Sequence, residues 1–480
     1  MKILFIIRDI QMIERLGIMI LSSLLKARGH EVELAQANYD DLKSRINNFK
    51  PQLLAYSLTT GEHKHLIRLN RDLKRGFNFI SIFGGPHPTF FPEMIEEEGV
   101  DIICRGEGEG AMLEVVEALG KGRSIESIKN LWVKKNDGII IKNLVRELIF
   151  DLDSVPFPDR EIIYENDRIL KQHGEKRFLI GRGCPYNCSY CFNHKLKELY
   201  GPSWTRMRRR SVNNIMAEIE AVRKRYPLQF IRFIDDNFFF CKEEWLEEFS
   251  REYRRQVNIP FLCNIRPDLA TSEKVKMLKE AGCRSVFMGL ETADDDLRYN
   301  LLQRRISRAE LEKTCRWLRR EGIRYGFYNV LGLPVKNPLA TDWETLKLNI
   351  TYRPDIAWSS LFYPYPRTEL AEYAVREGFF DGNFDRMPAN NKISSCLSFK
   401  TRQEKPQVEN LQKLFGLTVA FPFLIPLVRQ LLKLPPNKFF NFVLFAWAGI
   451  CFKFRLARLK FSPARFFDLI KALPRFLREE

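Results

Sequence analysis

"GRGCPYNCSYCFN", residues 181–193, places Cys184, Cys188 and Cys191 on one short loop with no fourth cysteine beside them. Three thiolates at spacings of x3 and x2 hold a metal centre that is one ligand short. Either a ligand arrives from elsewhere in the chain, or the open position is where a substrate binds. His194 follows Cys191 by three residues, so a Cys3His zinc site can be written down. Structural zinc wants four ligands in a tetrahedron, and one compact loop would have to supply them all. A chance grouping requires two separate spacings to coincide. An iron–sulfur cluster on three thiolates is the reading that makes use of the vacancy.

Around this loop, residues 177–390 repeat a strand–helix rhythm. Strands are predicted at "RFLIGRG", "FIRFID", "IPFLCNI", "SVFMGL", "IRYGFYNVLG" and "IAWSSLFYP". Between them lie the helical patterns "NNIMAEIEAVRKRY", "KEEWLEEFSREYRR", "SEKVKMLKEAG" and "SRAELEKTCRWLRREG". Six βα units imply a partial version of the eight-fold barrel, in which ligands sit on the loops at the C-terminal strand ends. The cysteines follow the first strand and so fall on that face. Asp235 and Asp236 follow the second strand, Asn264 and Arg266 the third, Glu291 the fourth, and Gly332–Pro334 the fifth.

Upstream, residues 1–140 alternate short apolar runs ("KILFII", "EVELAQ", "QLLAYSL", "FISIFGG", "DIICRG") with helical segments. This pattern implies a Rossmann-like, doubly wound parallel sheet, whose ligands bind beyond the carboxyl ends of the strands. "SLTTGE", "FGGPHPTFFPE" and "CRGEGEG" fall there. Paired glycines in these loops either let backbone approach a bulky ligand or simply make tight turns. Residues 141–176, with "DLDSVPFPDR", are dense in proline and acids and read as a linker. Residues 391–480 form an expected helical extension.

Composition bounds the rest. The 480 residues, 45 % hydrophobic and 29 % charged, suit two or three folded domains. Ten thinly spread cysteines point to a reducing compartment rather than a disulfide framework. "MKILFIIRDI" has an apolar run too short for a signal-peptide core and reads as a buried strand. The net charge is +17, and residues 401–480 contribute 14 Lys/Arg against 5 Asp/Glu. A basic segment that is also rich in Phe and Leu suits nucleic acid, and a membrane surface at least as well.

"CPYNCSYC" resembles the Cys-x3-Cys-x2-Cys signature of radical S-adenosylmethionine (SAM) enzymes, including the aromatic Tyr190 before the last cysteine. The first 140 residues, their "GGPH" loop and "GEGE" turn, and the "DLDSVPFPDR" segment resemble the cobalamin-binding subgroup. The likeness covers roughly residues 1–390. It implies a [4Fe–4S] cluster on Cys184, Cys188 and Cys191, with SAM chelating the fourth iron through its amino and carboxylate groups. One electron then cleaves SAM to methionine and a 5′-deoxyadenosyl radical, which abstracts hydrogen from an unactivated carbon. An electron donor such as flavodoxin or ferredoxin is implied as partner. Carried over residue by residue, Tyr190 contacts adenine through its backbone, and Asp235 and Asp236 lie beside the methionyl group. Arg266 and Glu291 lie near the SAM carboxylate and ribose. The residue-level alternatives are that Asp236 caps the helix starting near Lys242 and that Arg266 pairs with Asp268. Ser57, Thr59, Thr60, Gly84, Gly85, Pro86, His87, Gly106 and Glu107 resemble the cobalamin pocket.

The chain departs from that pattern in three places. No histidine stands in an Asp-x-His-x-x-Gly motif, so cobalamin is expected without a protein imidazole from it, and His87 is expected to line the pocket or cap its loop. A domain that has lost its cofactor is the competing view. "LPVKN" puts Lys336 where an acidic contact is frequent, and "PYPRTEL" puts Arg367 where glycine is common. In the tail, "LFGLTVAFPFLIPLV" (414–428) and "FFNFVLFAWAGICF" (439–452) are each shorter than the ~20 residues of a membrane span. They are expected either to attach peripherally to an anionic bilayer or to cap the barrel.

The leading functional expectation is a cobalamin-dependent radical SAM methyltransferase acting on a small or lipid-like substrate. The second is cyclisation, oxidation or ring contraction with the same cofactors, and the third a zinc-stabilised nucleic-acid binder. The first two readings include no nucleic-acid partner. The expected location is the cytoplasm or the inner face of its membrane. The residues name no catalytic acid or base.

Overall fold

The computed structural model describes residues 1–10, 13–38, 40–388 and 393–457. The chain divides into two compact units. One comprises Met1–Gln172, Leu196–Trp204 and Asn383–Ala389, and the other His173–Lys195, Thr205–Gly382 and Asn390–Glu480.

The first unit is built on a seven-stranded sheet: β1 (Lys2–Ile7), β2 (Glu31–Gln36), β3 (Leu53–Ser57), β4 (Ile80–Gly84), β5 (Ile102–Cys104), β6 (Leu131–Lys134) and β7 (Ile140–Lys142). The order is β2-β1-β3-β4-β5-β6-β7. Five of the six β1 side chains are buried, as expected of a central parallel strand covered on both faces. Ile3 registers with Val32 on one side and Leu53 on the other. The pairing is parallel through β5, then β6 and β7 add an antiparallel edge. This edge extends the predicted parallel sheet. Between β6 and β7 the stretch "KKNDGI" offers only a hairpin turn, closed by Gly138 N–H donating to Lys135 O at 2.9 Å, and this makes that pair antiparallel.

Residues 141–172 pack as part of this unit rather than run free as a linker. The Asp159 carboxylate accepts from Ser22 Oγ and Lys26 Nζ, both at 2.7 Å. Buried Arg160 donates to Glu14 at 2.6 Å, and Tyr164 bonds the same carboxylate.

The second unit is a six-stranded, all-parallel, curled half-barrel. Its strands are β8 (Glu175–Phe178), β11 (Phe230–Phe233), β12 (Phe261–Asn264), β13 (Cys283–Glu291), β14 (Arg324–Leu331) and β15 (Ile356–Leu361), with β8 and β15 as the open edges. The predicted strand "RFLIGRG" is broken. β8 ends at Phe178, and β9 (Gly181–Arg182) pairs antiparallel with β10 (Arg208–Arg209). Ile180 is pulled out of line because its N–H donates to Asp235 Oδ2 at 3.3 Å and its carbonyl accepts from Arg210 N–H at 2.9 Å.

Local signals set the helices. The helix Ser272–Ala281 starts on a Thr271 cap and stops at left-handed Gly282, and Arg308–Arg320 begins with a Ser307/Glu310 capping box. The β15 edge is closed by the helix Glu404–Ala420. The Gln412 side chain donates to Ser359 O at 3.0 Å and Ser359 Oγ donates back to Gln412 O at 2.9 Å.

Candidate functional site

In the second unit, the cysteine loop follows the C-terminal end of β8, on the mouth of the half-barrel. Cys188 is buried, while Cys184 and Cys191 are half-buried, and all ten cysteines of the chain are free thiols. Burial pushes the Cys184 thiol up to about 11 and Cys191 to about 12. Such thiols keep their protons until a metal displaces them. Two N–H donors aim at sulfur: Arg266 Nη1 at 3.8 Å from Cys188 Sγ and Asn193 Nδ2 at 3.7 Å from Cys191 Sγ.

Among the described residues, no three His, Cys, Asp or Glu side chains converge to hold a single metal ion. His194 Nδ1 lies 3.2 Å from Cys188 O and 3.0 Å from Cys191 O, and Nε2 turns toward Glu369 at 3.9 Å. These observations disfavour the Cys3His zinc site. They fit an iron–sulfur cluster, in which each thiolate takes its own iron.

The strand ends supply a wall around the loop. Arg266 is fixed in three ways. Its Nε and Nη2 pair with Asp268 at 3.0 and 3.2 Å, its guanidinium carbon lies 3.4 Å from the Tyr186 ring centre, and its N–H donates to Asn237 Oδ1 at 3.2 Å. Of the two sequence alternatives for Arg266, the Asp268 pair is present, and the same side chain reaches the cysteine loop.

Tyr190 donates to Glu291 Oε1 at 3.1 Å, and Arg304 lies 3.7 Å from the same oxygen. Burial raises the Glu291 carboxyl and neighbouring Arg304 opposes that. Glu291 sits at φ +64, where the β13–β14 register shifts between Gly289 and Glu291. A Cβ on Gly289 would lie 2.1 Å from Glu291 Oε1 and 2.5 Å from Arg304 Nη2, so glycine makes the room for this ion pair.

Asp235 and Asp236 part company. Asp235 is buried and raised to about 6, first by burial, against the pull of Arg209. Asp236 is exposed at the mouth. The helix Glu243–Gln256 begins with no side-chain cap, so Asp236 does not serve it. Asn264 Nδ2 donates to Asp235 O at 3.0 Å. At Gly332 the N–H donates to the Asp342 carboxylate at 3.0 and 3.2 Å. Lys336 is exposed. Arg367 occupies φ +59, a conformation that favours glycine.

In the first unit, the predicted cobalamin residues gather at the C-terminal ends of β3, β4 and β5. Ser57 ends β3 and Gly84 ends β4. Gly85 has φ +101, and a Cβ there would meet Leu58 O at 2.8 Å. Thr89 Oγ1 donates to Gly85 O at 2.8 Å and accepts from Gly106 N–H at 3.0 Å, tying the two glycine loops together. Thr59 Oγ1 and N–H both reach Glu62 Oε2, at 2.9 and 3.2 Å.

His87, after Pro86, is buried. Its Nδ1 lies 2.9 Å from Thr60 Oγ1 and its ring stacks on His63 at 3.9 Å. His63 in turn bonds Asp385 at 3.0 Å. The Glu107 backbone ties into the framework: its N–H donates to Tyr200 Oη at 2.7 Å and its carbonyl accepts from Asn130 at 2.6 Å. Gly106, at φ +72, has no space for a Cβ because Tyr200 Oη would lie 1.8 Å away. Glycine at 85 and 106 lets these two loops close on Leu58 and Tyr200, which sets the strand-end backbone where the predicted pocket residues gather, and no histidine precedes His30 in the chain.

Sequence reasoning missed Tyr186, Asn237, Arg304, Thr89, Tyr200 and Asp385. Tyr186 and Thr89 stood inside the quoted stretches "GRGCPYNCSYCFN" and "FGGPHPTFFPE", while the others were not singled out because their partners lie elsewhere in the chain.

The profile of the radical SAM superfamily matches residues 178–346, and that of the B12 binding domain matches residues 11–116. An uncharacterised methyltransferase of Pyrococcus horikoshii is 27 % identical over 75 % of this chain and 78 % of its own length. The anaerobic magnesium-protoporphyrin IX monomethyl ester cyclase of Rubrivivax gelatinosus is 25 % identical over 73 % of this chain and 64 % of its own. Among solved structures, the cobalamin-dependent S-adenosylmethionine radical enzyme OxsB with aqua-cobalamin bound shares the fold. It has a TM-score of 0.68 and 16 % identity, over 99 % of this chain and 75 % of that one.

Proposed function

Because the chain belongs to the radical SAM enzymes that carry a cobalamin-binding domain, we propose that it transfers a methyl group to a carbon of a small-molecule substrate. Its cofactors are a [4Fe–4S] cluster, SAM and cobalamin. When bound, the cluster and SAM supply a hydrogen-abstracting radical, and cobalamin supplies the methyl group. The observation that carries the reading is the three-thiol loop at the mouth of the half-barrel, whose neighbouring His194 is committed to backbone carbonyls.

The chain's own groups bind and orient. Cys184, Cys188 and Cys191 would hold the cluster, and the N–H groups of Arg266 and Asn193 offset charge on sulfur. Tyr190, Glu291 and Arg304 would form the wall for SAM, and the Gly85 and Gly106 loops would receive cobalamin. The methyltransferase relative supports methyl transfer, and the cyclase relative favours ring formation as the second reading. Free thiols throughout support a reducing, cytoplasmic setting, with a flavodoxin or ferredoxin as electron donor.

The test uses anaerobically reconstituted protein with SAM, reductant, cobalamin and candidate acceptors. 5′-Deoxyadenosine and S-adenosylhomocysteine are quantified together, with a Cys184/Cys188/Cys191→Ala triple variant as control. Cysteine-dependent formation of both products, the second requiring cobalamin, supports methyl transfer. Turnover of an acceptor with deoxyadenosine alone moves the assignment to the second reading.

A further inference from the structure

Seven of the fourteen strongly exposed large apolar side chains among the described residues lie between Phe423 and Phe454. Phe423 is 75 % exposed, Leu427 55 %, Phe439 66 % and Phe454 50 %. Phe439, Phe442, Ile450 and Phe454 recur at helical spacing along one outward stripe of Lys438–Ala457. From Asn410 to Ser462 and on to Phe467 the sequence holds nine Lys or Arg and no Asp or Glu. Arg429, Lys433 and Lys438 on these helices are exposed. An exposed aromatic stripe on a segment whose own charged residues are all cations matches an anionic interface.

Lys438–Ala457 is 20 residues long with mean hydropathy 1.4, so length and composition alone would let it cross a membrane. Its opposite face argues for lying on the surface instead. Phe440, Leu444, Cys451, Leu456 and Ala457 are buried, with Cys451, Leu456 and Ala457 packed among Phe230, Leu262 and Ile356 of the barrel. Arg284 Nη1 also donates to Ala457 O at 3.1 Å. Crossing a bilayer would strip this face from the protein.

A cleft of about 510 Å³ adjoins the same surface, lined by Arg324, Arg353, Asp355, Val419, Pro422 and Arg455. Phe423 and Phe454 are the chain neighbours of two of these residues. Arg324 lies 3.7 Å from Asp355, and Arg455 Nη1 donates to Asp355 O at 3.3 Å. Three guanidiniums against one carboxylate leave a net positive cleft suited to a phosphate diester.

We propose that these C-terminal helices dock on an anionic bilayer, with the Phe439–Phe442–Ile450–Phe454 stripe in the interface and the arginine cleft against a lipid phosphate. The cleft lies at the N-terminal ends of β14 and β15, whereas the cysteine loop follows the C-terminal end of β8. Attachment and the cluster site therefore occupy opposite ends of the barrel, and docking localises the enzyme without covering its mouth.

The test is flotation of the full-length, cluster-containing protein with vesicles of phosphatidylglycerol plus phosphatidylcholine, or of phosphatidylcholine alone. Binding is expected to the first and to weaken with salt. Phe439→Ser/Phe442→Ser should reduce partitioning about a hundredfold, roughly tenfold per aromatic. Arg353→Gln should reduce it about fivefold on the anionic vesicles only. Iron content and deoxyadenosine formation should be unchanged in both variants. Equal partitioning of the double variant and the parent would overturn the proposal. So would a parent that dimerises through this stripe, with the dimer lost in the double variant, because a second copy would then be the occupant.

Discussion

Arg266 lies over Tyr186, its guanidinium carbon 3.4 Å from the ring centre, while Nη1 of the same side chain reaches Cys188 Sγ at 3.8 Å. A residue from the end of β12 thus clamps the loop between its first two cysteines. A desolvated cation–π contact is worth ~2 kcal/mol. Tyr186→Leu should therefore loosen the loop by about that much and speed loss of iron. Iron and sulfide per chain after gel filtration measure this, and full retention would show that the stack does not support the loop.

Gly289 is the space that Arg304 and Glu291 share. Gly289→Ala would force a Cβ to 2.1 Å from Glu291 Oε1, an overpacking cost of about 1–3 kcal/mol. SAM affinity should fall about tenfold while iron content stays at the parent level. Equilibrium SAM binding, run beside the iron assay, separates this outcome from general unfolding.

The cobalamin loops make a matching prediction. At Gly85 an added Cβ meets Leu58 O at 2.8 Å in a conformation of φ +101, whereas at Gly17 it meets nothing within 4 Å. Gly85→Ala should abolish cobalamin retention, read from its visible absorption after desalting. Gly17→Ala, in the helix Leu16–Lys26, should retain the cofactor and gain up to ~1 kcal/mol of stability.

Acid should weaken the fold through the stacked imidazoles. Burial holds His87 down to about 3, with His63 and Lys64 adding to the effect and Asp385 opposing it. His63 is also lowered, first by burial, against its bond to Asp385. Thr60 Oγ1 lies 2.9 Å from His87 Nδ1. A folded-state value below the unfolded 6.5 means that the unfolded chain binds more protons. Stability is therefore intact above pH 6.5 and falls as pH drops toward 3. The slope approaches ~1.4 kcal/mol per pH unit for His87, and His63 adds to it in the same direction. Urea titrations at pH 7 and pH 5 should show this loss in the parent, and a shallower one in His87→Gln.

Much of the architecture was legible because it is written in local patterns. Buried parallel strands show as apolar runs such as "KILFII", and the half-barrel shows as six repeats of strand and helix. The antiparallel β6–β7 edge was missed because its short strands carry no long apolar run. Residues 141–172 looked like a linker because prolines and acids usually mark one. Here Asp159 and Arg160 are instead bound into the first unit by Lys26 and Glu14.

The sequence by itself determined the three-thiol loop, since the x3 and x2 spacing of Cys184, Cys188 and Cys191 is a property of one short stretch and needs no fold to be read. It also determined the positions of the strand-end loops and the acid-free, aromatic character of residues 410–467. Only the tertiary structure decided that Arg266 covers Tyr186, that Gly289 seats Arg304 against Glu291, and that Tyr200 and Asp385 close over the first unit's loops. Those contacts join residues far apart in the chain. Their energies depend on burial and mutual orientation, which no local pattern encodes.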